Sequence, residues 1–260
     1  GARHRQLGIT QAQLARAGEL FEAHLTEPMS RPDVMALLAA AGIDPSGQRG
    51  IHVLGHHCMT GLLCQGPILG KQASFVLIDA WVAGSLQPLR EEAMSIVIER
   101  YVRSHGPVTE KDVAGWIGGT LGFVREALAL ISDRITSEGV DGRTWLTHVA
   151  ARQPPSGPLG VHLLPQWDEF LLGYGSRDVT LPDEHLSAVV PGRNMVFQPT
   201  LVIDGEVAGV WKRAQSGGRT RIDVRAFSAL NASQRRGIDR AAASYGTFIG
   251  ADVDLRLEVG

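Results

Sequence analysis

Hydrophobic periodicity constrains the fold of this chain most strongly, because it repeats one order of elements twice: three helices followed by a hairpin. Thr10 and Ser30 are good N-cap residues for two of the helices, Pro32 suits a first helical turn, and Gly42 ends the second helix. The first copy predicts helices over residues 9–24, 31–41 and 46–61 and strands over 62–65 and 74–79.

The second copy begins after a polar break that contains Pro88. Its first helix stops at His105, ahead of a Gly-Pro step, and Thr109 caps the next helix. The pair Asp141-Gly142 is a strong hairpin signal. The second copy predicts helices over residues 94–105, 110–117 and 121–131 and strands over 135–137 and 143–148.

Three helices and a hairpin form the winged-helix variant of the helix-turn-helix, whose third helix can enter the major groove of DNA. A linker of composition QPPSGP, residues 153–158, precedes a strand-rich remainder that fits a small barrel or a curved sheet closed by a helix, with Phe248 on the apolar side of that helix. The remainder predicts strands over 197–203, 206–211, 220–224 and 252–259 and a helix over 233–248. The predicted fold class is therefore α+β, with tandem winged-helix modules at 1–87 and 88–152 and a β-rich, barrel-like C-terminal domain at 159–260.

Charge and composition exclude several classes of protein. A formal net charge of -2 argues against a protein that coats DNA by neutralising phosphates, so any basic surface is expected to be local. No apolar run is long enough to cross a membrane, and the polar N-terminus is not expected to be a signal peptide. Cys58 and Cys64 are close in sequence and are expected to be reduced in a cytoplasmic protein.

The order of residues from Leu163 to Arg213 is one that no simple periodicity generates. It contains LLPQWDEFLLGY at 163–174, VVPGRN at 189–194 and PTLVIDG at 199–205. This segment resembles the C-terminal part of the AlkZ-like winged-helix family, which includes DNA glycosylases that unhook interstrand crosslinks. Shorter matches in both predicted modules extend the resemblance over nearly the whole chain.

The resemblance implies a DNA substrate and a catalytic Gln-x-Gln or Gln-x-Asp pair. In the family that pair lies in a further upstream module of about a hundred residues, on the arithmetic of domain size, and we expect this chain to lack it. Gln11 and Gln13 match the spacing, but residues i and i+2 of a helix point about 200° apart and cannot jointly hold one water. No catalytic residue is predicted here.

A basic hairpin around residues 217–218 is the best candidate for DNA contact. Its cations alternate along the chain, so several side chains can project from one face toward phosphates. The candidates are Lys212, Arg213, Arg219 and Arg221, with Arg225 beside them. The alternative is a solvated hairpin whose charged edges protect it from aggregation.

The third helices of the two modules differ in their suitability for DNA contact. Arg49 and His52, in the first module, are candidates for phosphate or base contacts. The third helix of the second module is otherwise apolar and carries only Arg125 and Glu126, so we expect it to pack between modules and not to read bases.

Two further clusters are interpreted as structural. His56 and His57 point about 100° apart on a helix, and the two nearby cysteines lack a second ligand pair at zinc-ribbon spacing, so no metal site is predicted. Asp168 and Glu169 lie beside aromatic residues, where an apolar setting can raise a carboxylate pKa toward that of a general base. We favour the alternative, in which Asp168 accepts backbone N–H groups at a turn and Asn194 serves turn geometry.

Together these observations predict a DNA-binding protein that resembles glycosylases excising N7-alkylated purines or unhooking interstrand crosslinks. Its partner is expected to be double-stranded DNA, with no membrane partner and no cofactor, and the protein is expected to be a monomer. The alternative is a non-enzymatic winged-helix regulator, which would require a dimer and an operator-like palindrome.

Overall fold

The computed structural model describes residues 2–84, 88–152, 156–192, 196–216 and 219–260. The chain divides into two compact units, Gly1–Gln87 and Pro88–Gly260, and combines helices with antiparallel and parallel strands. Among the residues described, none of the helices is both long and apolar enough to traverse a bilayer.

The first unit contains the three predicted helices and the predicted hairpin. Its elements are α1 (Ala2–Gln6), α2 (Gln11–His24), β1 (Met29–Ser30), α3 (Arg31–Ala40), α4 (Arg49–Met59), β2 (Leu63–Gln65), β3 (Ser74–Leu77) and α5 (Ile78–Trp81). Thr10 and Ser30 cap α2 and α3, as expected, by accepting from the backbone N–H groups of Gln13 and Asp33. The short elements α1, β1 and α5 were not predicted, because the two helices complete little more than one turn and β1 has only two residues.

The core of the first unit lies between its helices and its small sheet, in which β3 pairs with both β1 and β2. The apolar positions of α2 that recur at three- and four-residue steps point into this core. Its buried members include Leu14, Phe21, Val34, Leu38, Val53, Leu63 and Phe75.

The second unit contains three more helices, a hairpin and a larger sheet. Its elements are α6 (Arg90–His105), α7 (Glu110–Ile117), α8 (Leu121–Leu130), β4 (Ile135–Val140), β5 (Arg143–His148), β6 (Val161–Leu164), α9 (Glu169–Leu172), α10 (Asp183–Val189), β7 (Thr200–Ile203), β8 (Glu206–Ser216), β9 (Arg219–Ala226), α11 (Ala232–Ile249) and β10 (Val253–Val259). Asp141 and Gly142 form the β4–β5 turn with φ of 50° and 72°, as the Asp-Gly signal predicts. β6, α9 and α10 were not predicted.

The strands of the C-terminal part form an open sheet, which corrects the prediction of a barrel-like domain. The described strands follow the order β10-β9-β8-β7-β6, with β10 parallel to β9 and the other pairs antiparallel. β6 and β10 lie at opposite edges and do not pair, so the sheet is covered on its faces instead of closing on itself. The helix α11 packs on one face against Ile222 and Val224, while Leu171 and Val189 pack with Val202 on the other.

Phe248, which the sequence places on the apolar side of the C-terminal helix, is not buried. Phe248 lies in the last turn of α11 and is 85% exposed, whereas Ile238 and Ala242 of the same helix are buried. Helical spacing places a residue on a side of a helix, but it does not show whether the sheet extends beneath that turn.

Candidate nucleic-acid interface

The β8–β9 hairpin separates its cations onto two faces. In the antiparallel register, Arg213 pairs with Ile222 and Lys212 pairs with Asp223. Ile222 is buried against α11, so Arg213 lies on that face, where its Nη1 donates to the Tyr245 hydroxyl at 3.1 Å. Lys212 lies on the opposite face, which the alternation shares with Arg219, Arg221 and Arg225. We call this second face the outer face of the hairpin.

Carboxylates of β9 and β10 lie among the cations of the outer face. Arg221 donates from Nε and Nη2 to the two carboxylate oxygens of Asp223, at 2.8 and 3.1 Å. These bonds lower the pKa of Asp223 and raise that of Arg221. The parallel register also places Asp254 beside Arg221 and Glu258 beside Arg225. Arg221 is therefore largely neutralised within the sheet.

Lys212 and Arg219 remain as accessible cations on the outer face. Both residues are exposed and, among the described residues, neither side chain makes a hydrogen bond or an ion pair, although the charge of Lys212 helps to lower the pKa of Asp223. Arg225 is also exposed, but its guanidinium lies over the Phe227 ring, 5.6 Å from the ring centroid. Arg219 pairs with Ser216 at the start of β9. The predicted Gly-Gly turn between them, at 217–218, lies outside the described residues.

Arg49 is engaged inside the first unit. Its Nη1 donates to the Leu7 carbonyl, its Nη2 to the Gly8 carbonyl at 3.4 Å, and its Nε to the Asp44 carbonyl at 3.2 Å. The guanidinium thus ties the turn after α1 to the loop before α4, and a partner such as a phosphate would have to displace these bonds.

His52 lies at the surface of α4 under the side chains of α1. Arg3 Nε lies 3.5 Å from His52 Nε2, and the His4 ring meets the His52 ring edge-on at 6.3 Å. Arg3 also donates to Gln48 Oε1 at 2.7 Å. The short helix α1 therefore contacts the side of α4 that carries His52, a predicted DNA-contact residue.

His57 is a buried packing residue. Its Nε2 lies 3.1 Å from the Leu14 carbonyl, which requires that nitrogen to be the donor, and its ring meets Phe21 edge-on at 5.2 Å. Burial, and after it the nearby His56, lowers the pKa of His57, so the neutral ring is favoured. Burial likewise raises the pKa of the Cys58 thiol. Within the described ranges, no three His, Cys, Asp or Glu side chains are grouped as metal ligands would be.

Asp168 and Glu169 lie at the start of the short helix α9. Asp168 is the N-cap of α9, and its Oδ1 accepts from the Phe170 N–H at 2.9 Å, which is the backbone-binding role that we favoured. Glu169 projects toward α6 and α7, where its Oε2 accepts from Trp116 Nε1 at 2.8 Å and lies 3.2 Å from His105 Nε2. Asn194, assigned above to turn geometry, lies outside the described residues.

The residues after α9 dock onto the same two helices. Tyr101 donates its hydroxyl to the Gly173 carbonyl, and Tyr174 donates to the His105 carbonyl at 3.0 Å. A Cβ at Gly173 would lie 2.7 Å from His105 Cδ2, so only glycine fits there without a shift. Burial raises the pKa of both tyrosines, which keeps both hydroxyl groups protonated as donors.

Asp112 connects the start of α7 to the chain that follows α9. Its Oδ2 accepts from Thr109 N at 2.8 Å and from Thr109 Oγ1 at 2.7 Å, and its Oδ1 accepts from Gly175 N at 2.8 Å. One buried carboxylate therefore caps α7 and also holds the chain that leaves α9. We call the contacts of Tyr101, His105, Asp112, Trp116 and Glu169 the signature junction.

The comparison with protein families identifies the chain. The model of the family described as DNA glycosylase AlkZ-like matches residues 1–248. The chain belongs to the AlkZ-like DNA glycosylase family.

Two relatives define the extent of the similarity. The interstrand DNA cross-link repair glycosylase of Streptomyces sahachiroi is 32% identical over 161 residues, which make up 58% of this chain and 43% of the relative. The matched part of this chain thus spans less than half of that relative's length. The solved structure of Streptomyces sahachiroi DNA glycosylase AlkZ has the same fold, with a TM-score of 0.78 at 24% identity, covering 99% of this chain and 72% of that one.

The signature junction of this AlkZ-like chain was largely missed by sequence reasoning. The spacing of Thr109 and Asp112 is that of a capping box, which is a recognisable local signal. Tyr101 and Trp116 meet their partners at separations of 72 and 53 positions, which no local pattern indicates. The resemblance located the LLPQWDEFLLGY segment, but not the surface on which it docks.

Gln13 has a structural task in this AlkZ-like chain. Its Oε1 accepts from Thr10 N at 3.0 Å, which completes the capping box of α2. Gln11 lies one position into the helix, on its exposed side. The two amides are therefore not arranged around a common point, in agreement with the argument from helical geometry.

Proposed function

We propose that this chain supplies a duplex-binding surface of a DNA-repair glycosylase. The observation that carries the proposal is the outer face of the β8–β9 hairpin, where Lys212 and Arg219 are exposed on a chain of net charge -2 that belongs to a DNA glycosylase family. A few exposed cations on a protein of nearly neutral net charge are typical of transient DNA binding through a small number of phosphate contacts.

The two helical regions support a tandem winged-helix interpretation. The order α2, α3, α4, β2, β3 is repeated as α6, α7, α8, β4, β5, and each third helix precedes a hairpin. The arginines of their third helices are already engaged and are poorly placed to read bases. Arg49 is held by backbone carbonyls, and Arg125 of α8 donates to Glu110 at 2.8 Å. We therefore base the proposed phosphate contacts on Lys212 and Arg219. Arg49 and Arg221 have internal partners, and Arg213 lies on the opposite face with Tyr245. His52 could contact DNA only beside Arg3 and His4 of α1, which lie against it.

The substrate class follows from the relative, which is described as an interstrand DNA cross-link repair glycosylase. We propose duplex DNA bearing N7-alkylated purines or crosslinks through them. An N7-alkyl purine carries positive charge and is already a good leaving group, so its hydrolytic release needs a positioned water more than a strong acid. Such a reaction needs no cofactor, and we propose that the protein acts as a monomer in the cytoplasm.

Removal of the accessible cations should change the salt dependence of DNA binding. For Lys212→Gln/Arg219→Gln, the slope of log K against log salt is expected to fall in magnitude by about 2, since each lost phosphate contact removes about 0.9. Affinity for a short duplex should drop roughly tenfold at moderate salt. Fluorescence anisotropy with a labelled duplex at several salt concentrations measures both quantities.

The matched control is Arg103→Gln, which removes one exposed cation of α6 in the same unit. The control should keep the wild-type slope. An identical slope for the double variant and the wild type would contradict the proposed surface, and binding that is independent of salt would contradict phosphate contact altogether.

Base release separates DNA binding from catalysis. We expect the 260-residue chain to release N7-methylguanine from duplex DNA no faster than spontaneous depurination, because Gln13 is engaged in a helix cap and Gln11 points away from it. The assay is chromatography of the released base. Rapid release that is lost in Gln11→Ala/Gln13→Ala would contradict this expectation and would show that the two glutamines are catalytic.

A further inference from the structure

The β2–β3 hairpin of the first unit ends in an exposed apolar tip. Residues 67–73 are all exposed, while Leu63 in β2 and Phe75 in β3 are buried at its base. Ile68 is 76% exposed and Leu69 is 41% exposed. Exposed apolar side chains that lie next to each other can mark an interaction site.

The tip is held in one conformation by its own backbone. Leu69 N donates to Gln72 O at 2.9 Å, and Gln72 N donates to Leu69 O at 3.0 Å, so Gly70 and Lys71 form a two-residue turn. Gly70 has a φ of +64°, which favours glycine at the first turn position. The apolar pair is therefore presented on a closed hairpin and not on an open loop.

The base of the tip is equally well defined. Ser74 Oγ donates to the Pro67 carbonyl, and Gly66 N donates to Ser74 O at 3.0 Å. A Cβ at Gly66 would lie 2.8 Å from both Ser74 Oγ and Val76 Cγ1, so the two sides of the hairpin meet as closely as the backbone allows. A rigid projection loses little conformational entropy when it is inserted into a partner.

The charge at the tip favours a polyanionic partner. Lys71 is the one ionisable residue among positions 67–73 and lies next to the apolar pair. A cation beside aliphatic side chains is the composition of protein wedges that enter the minor groove of DNA, where the apolar group separates two stacked bases and the cation contacts a phosphate. Most DNA glycosylases unstack their target base before excision, at a cost of a few kcal/mol.

We propose that Ile68 and Leu69 form an apolar wedge that enters the minor groove of duplex DNA and unstacks a base step, with Lys71 on the adjacent phosphate. This inference rests on the proposed DNA-binding function. It assigns the opening of the duplex to the first unit, which is a different task from the phosphate contacts of Lys212 and Arg219.

The test uses a duplex with 2-aminopurine opposite an abasic position, because the fluorescence of that base rises when it is unstacked. A saturating concentration of the 260-residue chain is expected to raise the fluorescence at least twofold. Ile68→Ser/Leu69→Ser should bind the same duplex with an unchanged salt slope, yet leave the fluorescence near that of free DNA. Ile68→Met/Leu69→Met should restore most of the rise, since methionine is also an effective wedge.

Val179→Ser removes an 80% exposed aliphatic side chain from the second unit and should behave as wild type. Binding with a full fluorescence rise in the double serine variant would overturn the wedge and leave the proposed function intact. Absence of salt-dependent binding by the wild type would overturn both, and a wild-type dimer that the serine variant dissolves would assign the tip to a second copy of the chain.

Discussion

Trp211→Ala is expected to destabilise the second unit by about 4 kcal/mol, within the range measured for loss of a buried tryptophan. Trp211 lies in β8, is 8% exposed, and packs with Ile222, Val224 and Ile238 in the core beneath α11. Its Nε1 donates to the Leu164 carbonyl at 2.8 Å. Alanine would leave both a cavity and a carbonyl without its donor, and each effect lowers the free energy of unfolding.

Urea unfolding followed by circular dichroism measures this loss of stability. Two further variants provide a measure of the hydrogen bond alone and a control at an exposed site. Trp211→Phe keeps most of the ring and removes the donor, so it should cost about 1–2 kcal/mol. Trp167→Ala is the matched control, because Trp167 belongs to the same family segment but is 52% exposed. A loss below about 1 kcal/mol for Trp211→Ala would be typical of an exposed site and would contradict this core.

Asp112→Ala is expected to cost about 3 kcal/mol, because it removes the acceptor of three hydrogen bonds at a site that is 7% exposed. Thr109 N and Gly175 N would each lose a charged acceptor, so the start of α7 and the chain after α9 would loosen together. Hydrogen exchange should therefore accelerate at both amides, although they are 66 positions apart (175 minus 109).

The control for this variant is Asp133→Ala, whose side chain is 79% exposed. Its unfolding free energy should stay within about 0.5 kcal/mol of the wild type. Asp112→Asn keeps one acceptor oxygen and should lie between the wild type and the alanine variant. Faster exchange at Thr109 with no change at Gly175 would show that the carboxylate caps α7 alone and does not fasten the signature junction.

The signature junction gives a physical reason for the residues of the LLPQWDEFLLGY segment. Asp168 starts a single-turn helix, Glu169 takes the indole N–H of Trp116, and Gly173 leaves room for the His105 ring. These are requirements of docking between two parts of one unit. A general base is therefore not needed to explain the two adjacent carboxylates.

Much of the secondary structure followed from the sequence, because its signals are local. Caps at Thr10, Ser30 and Thr109, and the Asp141-Gly142 turn, lie where single residues predicted them. The α+β class followed from the alternation of helical and strand periodicity, and the family was indicated by the order of residues in one segment. The short elements β1, α9 and α10 were missed because they show too little of a period. Strands of similar length, such as β2 and β3, were predicted because a turn signal lies between them.

The candidate interface was only half determined by the sequence. Alternation along β8 and β9 shows which side chains share a face. It does not predict which residues of other strands and helices lie beside them. The pairing of β10 with β9 brings Asp254 to Arg221, and only the fold brings Tyr245 to Arg213. The charge that a partner meets on the hairpin is therefore a property of the assembled sheet.

The amino-acid order by itself determined the described helices of eight or more residues, several of their caps and the family to which the chain belongs, since each depends on residues a few positions apart or on a continuous motif. The tertiary structure alone decided that the sheet is open, that Arg49 and Arg221 have internal partners, and that Ile68 projects while His57 is buried. The physical reason is range: burial and ion pairing are set by side chains that meet across tens of positions, and local periodicity carries no information about which of them meet.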